Sequence, residues 1–253
     1  MSPPVLCYHR IGGALELGVT RVARSVFERQ MRSLAEAGWR TLTLGEFANP
    51  RTTHHAPRTF LLTFDDGYAS LAERAYPVLE GLGFTATTFV ITDFVGRDNT
   101  WDVQYTWRRL PHLDWPEIER WQARGFSFAS HGARHRRLTW LDDGAVADDL
   151  GRARATLVAR LGADAGRAIA YPFGAVDERV QRLAGRAGYE LGFGGVGGDH
   201  GSPLNFPRVP VYMWDAGDTP FGLRDDSLGS VGRFVAHVAN RCAVGTSLML
   251  KLR

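Results

Sequence analysis

The chain has 253 residues, of which 44% are hydrophobic and 23% are charged, and its formal net charge is +3. This length and composition fit one α/β domain with a sizeable core, so we predict a single domain over residues 1–253. The basic residues are spread along the chain, which argues against a nucleic-acid partner. Two cysteines are too few for a disulfide framework. No transmembrane segment or export signal is recognisable, so we expect a cytoplasmic protein.

Apolar runs alternate with segments of helical periodicity through most of the chain. The predicted strands cover residues 5–9, 39–44, 60–64, 84–91, 126–129, 168–171, 189–193, 209–213 and 247–252. The predicted helices cover residues 25–37, 69–82, 116–124, 142–161, 177–187 and 231–240, with Ser25 and Glu28 as a capping box for the first of them. Such alternation predicts parallel strands joined by right-handed crossovers. We therefore expect an irregular (β/α) barrel with its active site at the C-terminal ends of the strands.

The apolar run at residues 60–64 ends abruptly in Asp65, Asp66 and Gly67. Neighbouring residues on an extended backbone point in opposite directions, so the two carboxylates can hold different roles. One of them can bind a cation while the other faces a water molecule. The alternative is an acidic turn that caps the following helix.

A second polar group follows the strand predicted at residues 126–129. His131 and His135 can face the same way on one helical turn, and Asp66 would complete a set of three metal ligands with open positions for water and substrate. The alternative is an unrelated histidine pair in a polar loop. A metal-bound water has its pKa lowered toward about 7, and Asp65 is placed to take its proton. His9, after the first strand, is a candidate acid for the leaving amine.

Three motifs occur in a characteristic order: Thr63-Phe64-Asp65-Asp66-Gly67, Ser130-His131-Gly132-Ala133-Arg134-His135 and Tyr171-Pro172-Phe173-Gly174. This combination resembles the NodB-homology polysaccharide deacetylases, carbohydrate esterase family four. The resemblance extends over residues 5–211 and is strongest with the subgroup that starts with a Tyr-His strand.

The resemblance implies a deformed β/α barrel, a divalent metal that is usually zinc, and hydrolysis of N-acetyl groups on amino-sugar polymers. It makes Asp65 the general base and supplies three metal ligands, Asp66, His131 and His135. Phe173, where the family often has Tyr, would donate its backbone N–H to the oxyanion. Tyr171 belongs to the same substrate-binding turn.

This sequence departs from the family pattern at two positions. Many members carry an arginine where Ala170 stands, and that arginine holds the catalytic aspartate; Arg208 is the candidate substitute, or else a surface arginine. Many members also have their acid histidine on a late strand, whereas the resemblance to the Tyr-His subgroup favours His9 here, against a plain core histidine. Trp214 is expected either to line the acetyl pocket or to pack in the core.

Several further patterns have two interpretations. Residues 192–197 match G-x-G-x-x-G, but no helix can follow them, so we interpret them as a glycine loop near the mouth of the site. The aromatic residues between 101 and 115 indicate either sugar stacking or a lid. The aspartates of the helix at 142–161 are interpreted as a solvated face.

Two other functions remain open from the sequence. Two histidines and one carboxylate also form the facial triad of non-haem iron oxygenases, although Asp65 has no clear role there. A catalytically degenerate, carbohydrate-binding barrel is the non-enzymatic alternative. The N-acetylated carbohydrate itself, its chain length and the oligomeric state are not specified by the sequence.

Overall fold

The computed structural model describes residues 2–13, 19–49, 57–101, 109–198 and 201–223. The strands in this part are β1 (Val5–Tyr8), β2 (Arg10–Ile11), β3 (Arg21–Val22), β4 (Arg40–Thr41), β5 (Thr59–Phe64), β6 (Thr87–Val90), β7 (Ser127–Ser130), β8 (Ala168–Ala170), β9 (Leu191–Phe193) and β10 (Val209–Pro210). The α-helices are α1 (Arg24–Glu36), α2 (Leu44–Ala48), α3 (Ser70–Arg74), α4 (Tyr76–Gly81), α5 (Trp115–Gln122), α6 (Asp143–Leu161) and α7 (Glu178–Arg186). None of these helices is both long and apolar enough to span a membrane.

The main sheet is parallel and curls into a half-barrel with the strand order β10-β1-β5-β6-β7-β8-β9. β5 is an inner strand of this sheet, because its last four residues pair with β1, its last two also pair with β6, and its first two pair with β4. β2 and β3 form a separate pair. The predicted α/β class and the irregular (β/α) barrel are confirmed.

All six residues of β5 are buried, since the sheet is covered on both faces. Phe60, Leu62 and Phe64 pack in one cluster with α1, whereas Leu61 packs in a second cluster with Phe89 of β6. This alternation follows from the two-residue period of a strand, which sends successive side chains to opposite faces. The continuous apolar run that predicts this strand is therefore a consequence of two-sided burial.

Two predicted elements differ in the structure. Ser25 does not cap α1, because the N-cap is Ala23 and the Glu28 side chain is bound by Arg24 at 2.7 Å. Residues 45–49, which no predicted helix or strand covers, belong largely to α2, and Thr43 and Glu46 form a capping box at its start. Leu44 and Phe47 of α2 are buried, so this helix covers part of the core. The helix at 231–240 and the strand at 247–252 lie outside the described residues.

The predicted helix at 69–82 is divided into α3 and α4. Pro77 occupies the first turn of α4 and has no N–H to donate back to α3, so the hydrogen-bond ladder is interrupted at Ala75. The strand predicted at 209–213 is limited to the two residues of β10.

Helix capping gives a first testable prediction. Asp142 accepts the Ala145 N–H at 2.8 Å at the start of α6, whereas the Ser25 side chain makes no capping bond in α1. We expect Asp142→Ala to lower the free energy of unfolding by about 1 kcal/mol and Ser25→Ala to change it by less than about 0.5 kcal/mol. Urea denaturation measures both values, and equal losses would contradict the assignment of the caps.

Candidate active site

The predicted site residues gather at one edge of the sheet. His9 follows β1, Asp65 and Asp66 follow β5, and His131 follows β7. These strands are parallel members of one sheet, so their carboxyl ends open on the same side.

Asp66, His131 and His135 are brought together by these strand ends. Asp66 Oδ1 lies 3.5 Å from Nε2 of His131 and 3.5 Å from Nε2 of His135. Ligands about 2.0–2.1 Å from a tetrahedral zinc ion are separated by about 3.3 Å, so these distances suit one small cation. Asp66 Oδ1 is buried and has no hydrogen-bond partner among the described residues, which is also what a metal ligand requires. The set fits a divalent transition metal.

The two imidazoles are held differently. His131 Nδ1 donates to the carbonyl of Ala170 at 2.7 Å, which leaves Nε2 as the atom directed at Asp66. His135 does not lie on a helical turn, as the spacing alone allowed; it lies in an irregular loop with φ of 53°. Among the described non-glycine residues, Asp66, Phe173 and Arg58 share positive φ with it, and the first two of these lie at the same site. Such backbone strain in side-chain-bearing residues is concentrated at functional sites.

Asp65 is fixed by Arg208. The guanidinium donates to both carboxylate oxygens, at 2.7 and 2.8 Å, and its Nε donates to the carbonyl of Gly194 at 3.1 Å. Both side chains are buried, so this is a desolvated bidentate pair. Arg208 is therefore a buried partner of Asp65 and not a surface residue.

The charges of the site determine its protonation. Burial alone would raise the pKa of Asp65, but Arg208 and His131 outweigh it and the pKa lies below its ordinary value. The pKa of Asp66 is also lowered, because His131 and His135 outweigh its burial. Burial lowers the pKa of His135 to about 3. Both carboxylates are therefore ionised near neutral pH, as a general base and a metal ligand must be.

His9 lies beside Asp65 and Cys7, with potential ligand atoms of the three residues within 4.8 Å of one another. This cluster is not suited to a second metal, because Arg208 occupies both oxygens of Asp65 and burial raises the pKa of the Cys7 thiol. His9 is partly exposed, and its Nδ1 has no partner among the described residues. Its position is compatible with proton transfer next to Asp65.

The turn at residues 172–174 reaches the site through Phe173. Its ring lies 4.6 Å from the ring of His135. No hydrogen bond within the described residues uses the Phe173 N–H. The adjacent Gly174 accepts the Gly195 N–H, so residues 192–197 serve as a packed backbone support for this turn.

Two further predicted substrate residues, Tyr171 and Trp214, differ in their exposure. The Tyr171 side chain is fully buried among the helices, and its hydroxyl donates to the carbonyl of Leu204 at 3.0 Å. It cannot contact a substrate, because Ala168 and Ala170 point to the barrel interior and Tyr171 therefore points away from it. Trp214 is 42% exposed and packs against Tyr212, so it is not a core residue.

Comparison with known proteins identifies the family. The family model described as polysaccharide deacetylase matches residues 53–192. The chain belongs to the polysaccharide deacetylase family. The predicted resemblance is thereby confirmed, and the oxygenase and degenerate-barrel alternatives are not favoured.

Curated relatives agree with this membership. The chain is 29% identical over 201 residues to YxkH of Bacillus subtilis, named as a polysaccharide deacetylase, covering 75% of this chain and 63% of the relative. It is 26% identical over 182 residues to a poly-β-1,6-N-acetyl-D-glucosamine N-deacetylase of Staphylococcus aureus, covering 68% of this chain and 60% of the relative. The chain thus spans about three fifths of the length of these relatives.

Solved structures share the fold. The deacetylase PplD of Streptococcus pyogenes, solved with acetate, superposes with a TM-score of 0.76 at 22% identity, covering 88% of this chain and 96% of that one. IcaB of Ammonifex degensii gives a TM-score of 0.68 at 25% identity, covering 94% and 97%. Nearly the whole length of both chains is therefore arranged as in this deacetylase fold.

One buried residue of this deacetylase-family site was misassigned from the sequence. Asp149 of α6 is not on a solvated face; it is 2% exposed, and its Oδ1 accepts the Ala133 N–H at 2.8 Å. Asp149 thereby holds the loop between His131 and His135. A signal for this role exists, because Asp149 lies on the same helical stripe as the buried residues Val146, Leu150 and Ala153.

We expect Asp149→Ala to lower the free energy of unfolding by about 1–3 kcal/mol, because it leaves a buried N–H without an acceptor. The neighbouring Asp148→Ala is a matched control, since Asp148 is exposed and makes only long surface ion pairs. Its expected cost is below about 1 kcal/mol. Urea denaturation compares the two variants, and similar costs would show that Asp149 does not hold the loop.

Proposed function

We propose that this chain hydrolyses the N-acetyl group of an amino sugar, or of an amino-sugar oligo- or polysaccharide, with the help of a divalent metal. The single observation that carries the proposal is the convergence of Asp66, His131 and His135 next to an Asp65 carboxylate that Arg208 holds. The names of the Staphylococcus aureus relatives, N-deacetylases of poly-N-acetylglucosamine, support the substrate class. Zinc is the proposed metal, because two imidazoles and one carboxylate are the ligand set of many zinc hydrolases.

Asp66 Oδ1 and the Nε2 atoms of His131 and His135 would hold the cation. The metal would lower the pKa of a water molecule toward about 7 and polarise the acetamide carbonyl. The Ala170 carbonyl keeps the imidazole of His131 in the tautomer that presents Nε2.

Asp65 is the proposed general base. Each of its oxygens keeps a free lone pair beside the bond from Arg208, so one oxygen can accept the proton of the attacking water. The water oxygen bonds to the acetamide carbon while its proton passes to Asp65. Because the pKa of Asp65 is lowered, the carboxylate stays available as a base at mildly acidic pH.

Phe173 and His9 are proposed to complete the reaction. The backbone N–H of Phe173 would donate to the oxyanion that forms when the water adds to the carbonyl. His9 in its protonated form would give a proton to the amide nitrogen as the C–N bond breaks, which releases acetate and the free amine. Trp214 remains a proposed sugar contact, since its exposed ring follows the strand beside β1. The cytoplasmic location and the lack of a nucleic-acid partner remain proposals from the sequence.

Substitutions of the two neighbouring aspartates should separate their roles. We expect Asp65→Asn to lower acetate release at least about 1000-fold while zinc still binds, and Asp66→Asn to lose the metal. Elemental analysis of the purified variants gives the zinc content, and a coupled assay gives acetate. Asp164→Asn is the control, because the Asp164 side chain is 93% exposed. Near-normal turnover in Asp65→Asn would remove Asp65 from the mechanism.

The reaction itself is tested with a panel of N-acetylated sugars and oligosaccharides, with added zinc and with a chelator. Acetate release under nitrogen that the chelator abolishes is the expected result. The oxygenase alternative predicts instead oxygen consumption with a 2-oxo acid. Without acetate release from any member of the panel by the zinc-loaded protein, the proposed function fails.

Arg208 should set the pH dependence of the reaction. Arg208→Met removes the cation but leaves the burial, so the pKa of Asp65 rises and more of its carboxyl group is protonated at acidic pH. We expect the acid limb of the kcat/KM profile to move to higher pH, with a larger loss at about pH 5 than at about pH 8. Arg208→Lys should restore part of the profile because it keeps the charge but not the bidentate geometry. An unchanged acid limb in Arg208→Met would contradict this role.

A further inference from the structure

The two metal-ligating histidines differ in what fixes their rings. His131 has a hydrogen bond from Nδ1 to the Ala170 carbonyl. His135 Nδ1 is buried and has no hydrogen-bond partner among the described residues. Its backbone is also in the left-handed conformation, with φ of 53°. The imidazole of His135 must therefore be oriented by packing.

Aromatic rings supply that packing. The ring of Trp101 lies 4.0 Å from the ring of His135 between centroids, with an angle of 49° between the planes. Phe173 lies at 4.6 Å. Trp101 makes the shorter contact, although it is 34 positions away in the sequence and belongs to neither histidine motif.

Trp101 is itself held by His112. The indole N–H donates to His112 Nε2 at 3.1 Å, and because an indole nitrogen can only donate, Nε2 must be the acceptor. Nδ1 of His112 therefore carries the proton and donates to the carbonyl of Arg97 at 2.8 Å. His112 is 4% exposed, and its burial lowers its pKa, which favours this neutral form.

The same pair is attached to the turn that carries the acidic ligand. His112 stacks on Tyr68 with ring centroids 5.1 Å apart and an angle of 16°. Tyr68 and His112 form an antiparallel bridge, and the N–H of Leu113 donates to the carbonyl of Gly67 at 2.9 Å. His112, which accepts the Trp101 indole N–H, is therefore itself attached to the turn that follows Asp66.

We propose that Trp101 is a positioning residue that orients the His135 imidazole for metal binding, and that His112 holds Trp101 in place by accepting its indole N–H. The inference depends on the proposed function only through the assignment of His135 as a ligand. Groups that orient metal ligands typically change metal affinity or activity by about 10- to 100-fold when they are removed.

The test is the zinc affinity of the full chain, measured by competition with a chromophoric chelator. We expect Trp101→Ala to weaken zinc binding by about 10- to 100-fold and to alter the visible absorption of the cobalt-substituted protein. Trp39→Ala is the matched control, because Trp39 is also partly buried and packs on Phe60 far from the site. It should leave zinc affinity unchanged, whatever it costs in stability.

The role of His112 is tested by two substitutions. His112→Leu removes the acceptor for the indole N–H and should weaken zinc binding, whereas His112→Gln keeps a side-chain acceptor and should retain most of the affinity. Trp101→Phe keeps an aromatic ring but has no N–H, so adding His112→Leu to it should lower zinc affinity by a smaller factor than His112→Leu does in the wild-type chain.

Circular dichroism confirms that each variant is folded. Trp101→Phe replaces Trp101→Ala if the latter does not fold.

Wild-type zinc affinity and an unchanged cobalt spectrum in both Trp101 variants would overturn the proposal. A higher KM with unchanged zinc affinity would overturn it too, because Trp101 would then act as a substrate contact. The zinc-affinity and cobalt-spectrum measurements require no turnover. If the chain binds zinc as expected but releases no acetate, the proposed function is refuted, whereas the role of Trp101 in zinc binding still stands.

Discussion

Two adjacent buried carboxylates impose the constraint on which the site depends. Asp65 is 3% exposed and Asp66 is 6% exposed, and an uncompensated buried charge costs several kcal/mol. The structure compensates them unequally. Arg208 bonds both oxygens of Asp65, whereas Asp66 faces two imidazoles and keeps one oxygen without a hydrogen-bond partner among the described residues. Arg208 thus balances the charge of Asp65, whereas Asp66 is the carboxylate that a bound cation would contact.

The protonation of His131 follows from the same imbalance. Burial lowers its pKa, but Asp65 and Asp66 outweigh this effect and raise the pKa above the ordinary value. The two carboxylates therefore favour the protonated form of the imidazole, whereas a cation bound at its Nε2 would require the neutral form, so metal binding and protonation of His131 would compete. The pair between Asp65 and Arg208 involves no atom of His131, and it keeps the pKa of Asp65 below its ordinary value.

The sequence was sufficient for the fold class, and its motifs and strand ends named residues that the structure brings together: Asp66, His131 and His135 in one cluster, and Arg208 on Asp65. The role of the first three as metal ligands stays a prediction. The sequence was misleading where the role of a residue depends on the direction of its side chain, which a sequence motif does not specify. Tyr171 belongs to the third sequence motif, yet strand alternation directs its side chain away from the barrel interior. Asp149 resembles a solvated acid until its place on the buried stripe of α6 is considered. The hydrogen bond between Trp101 and His112 joins two irregular segments. Such segments have no sequence periodicity from which the contact between their side chains could be predicted.

Two glycines of the motifs, Gly132 and Gly174, allow the functional residues to lie close together. A Cβ atom at Gly132, between the two histidines, would lie 2.8 Å from Oδ1 of Asp149, which already binds the next N–H of that loop. A Cβ atom at Gly174 would lie 2.8 Å from the Cα of Gly195. Both glycines also have positive φ, which a larger residue would adopt at a cost of about 1 kcal/mol or more. Each loop can therefore pack against Asp149 or Gly195 only because a glycine follows His131 or Phe173. The positions of the His131 side chain and of the Phe173 N–H thus depend on close packing of the backbone, and the charges of the site do not supply that packing.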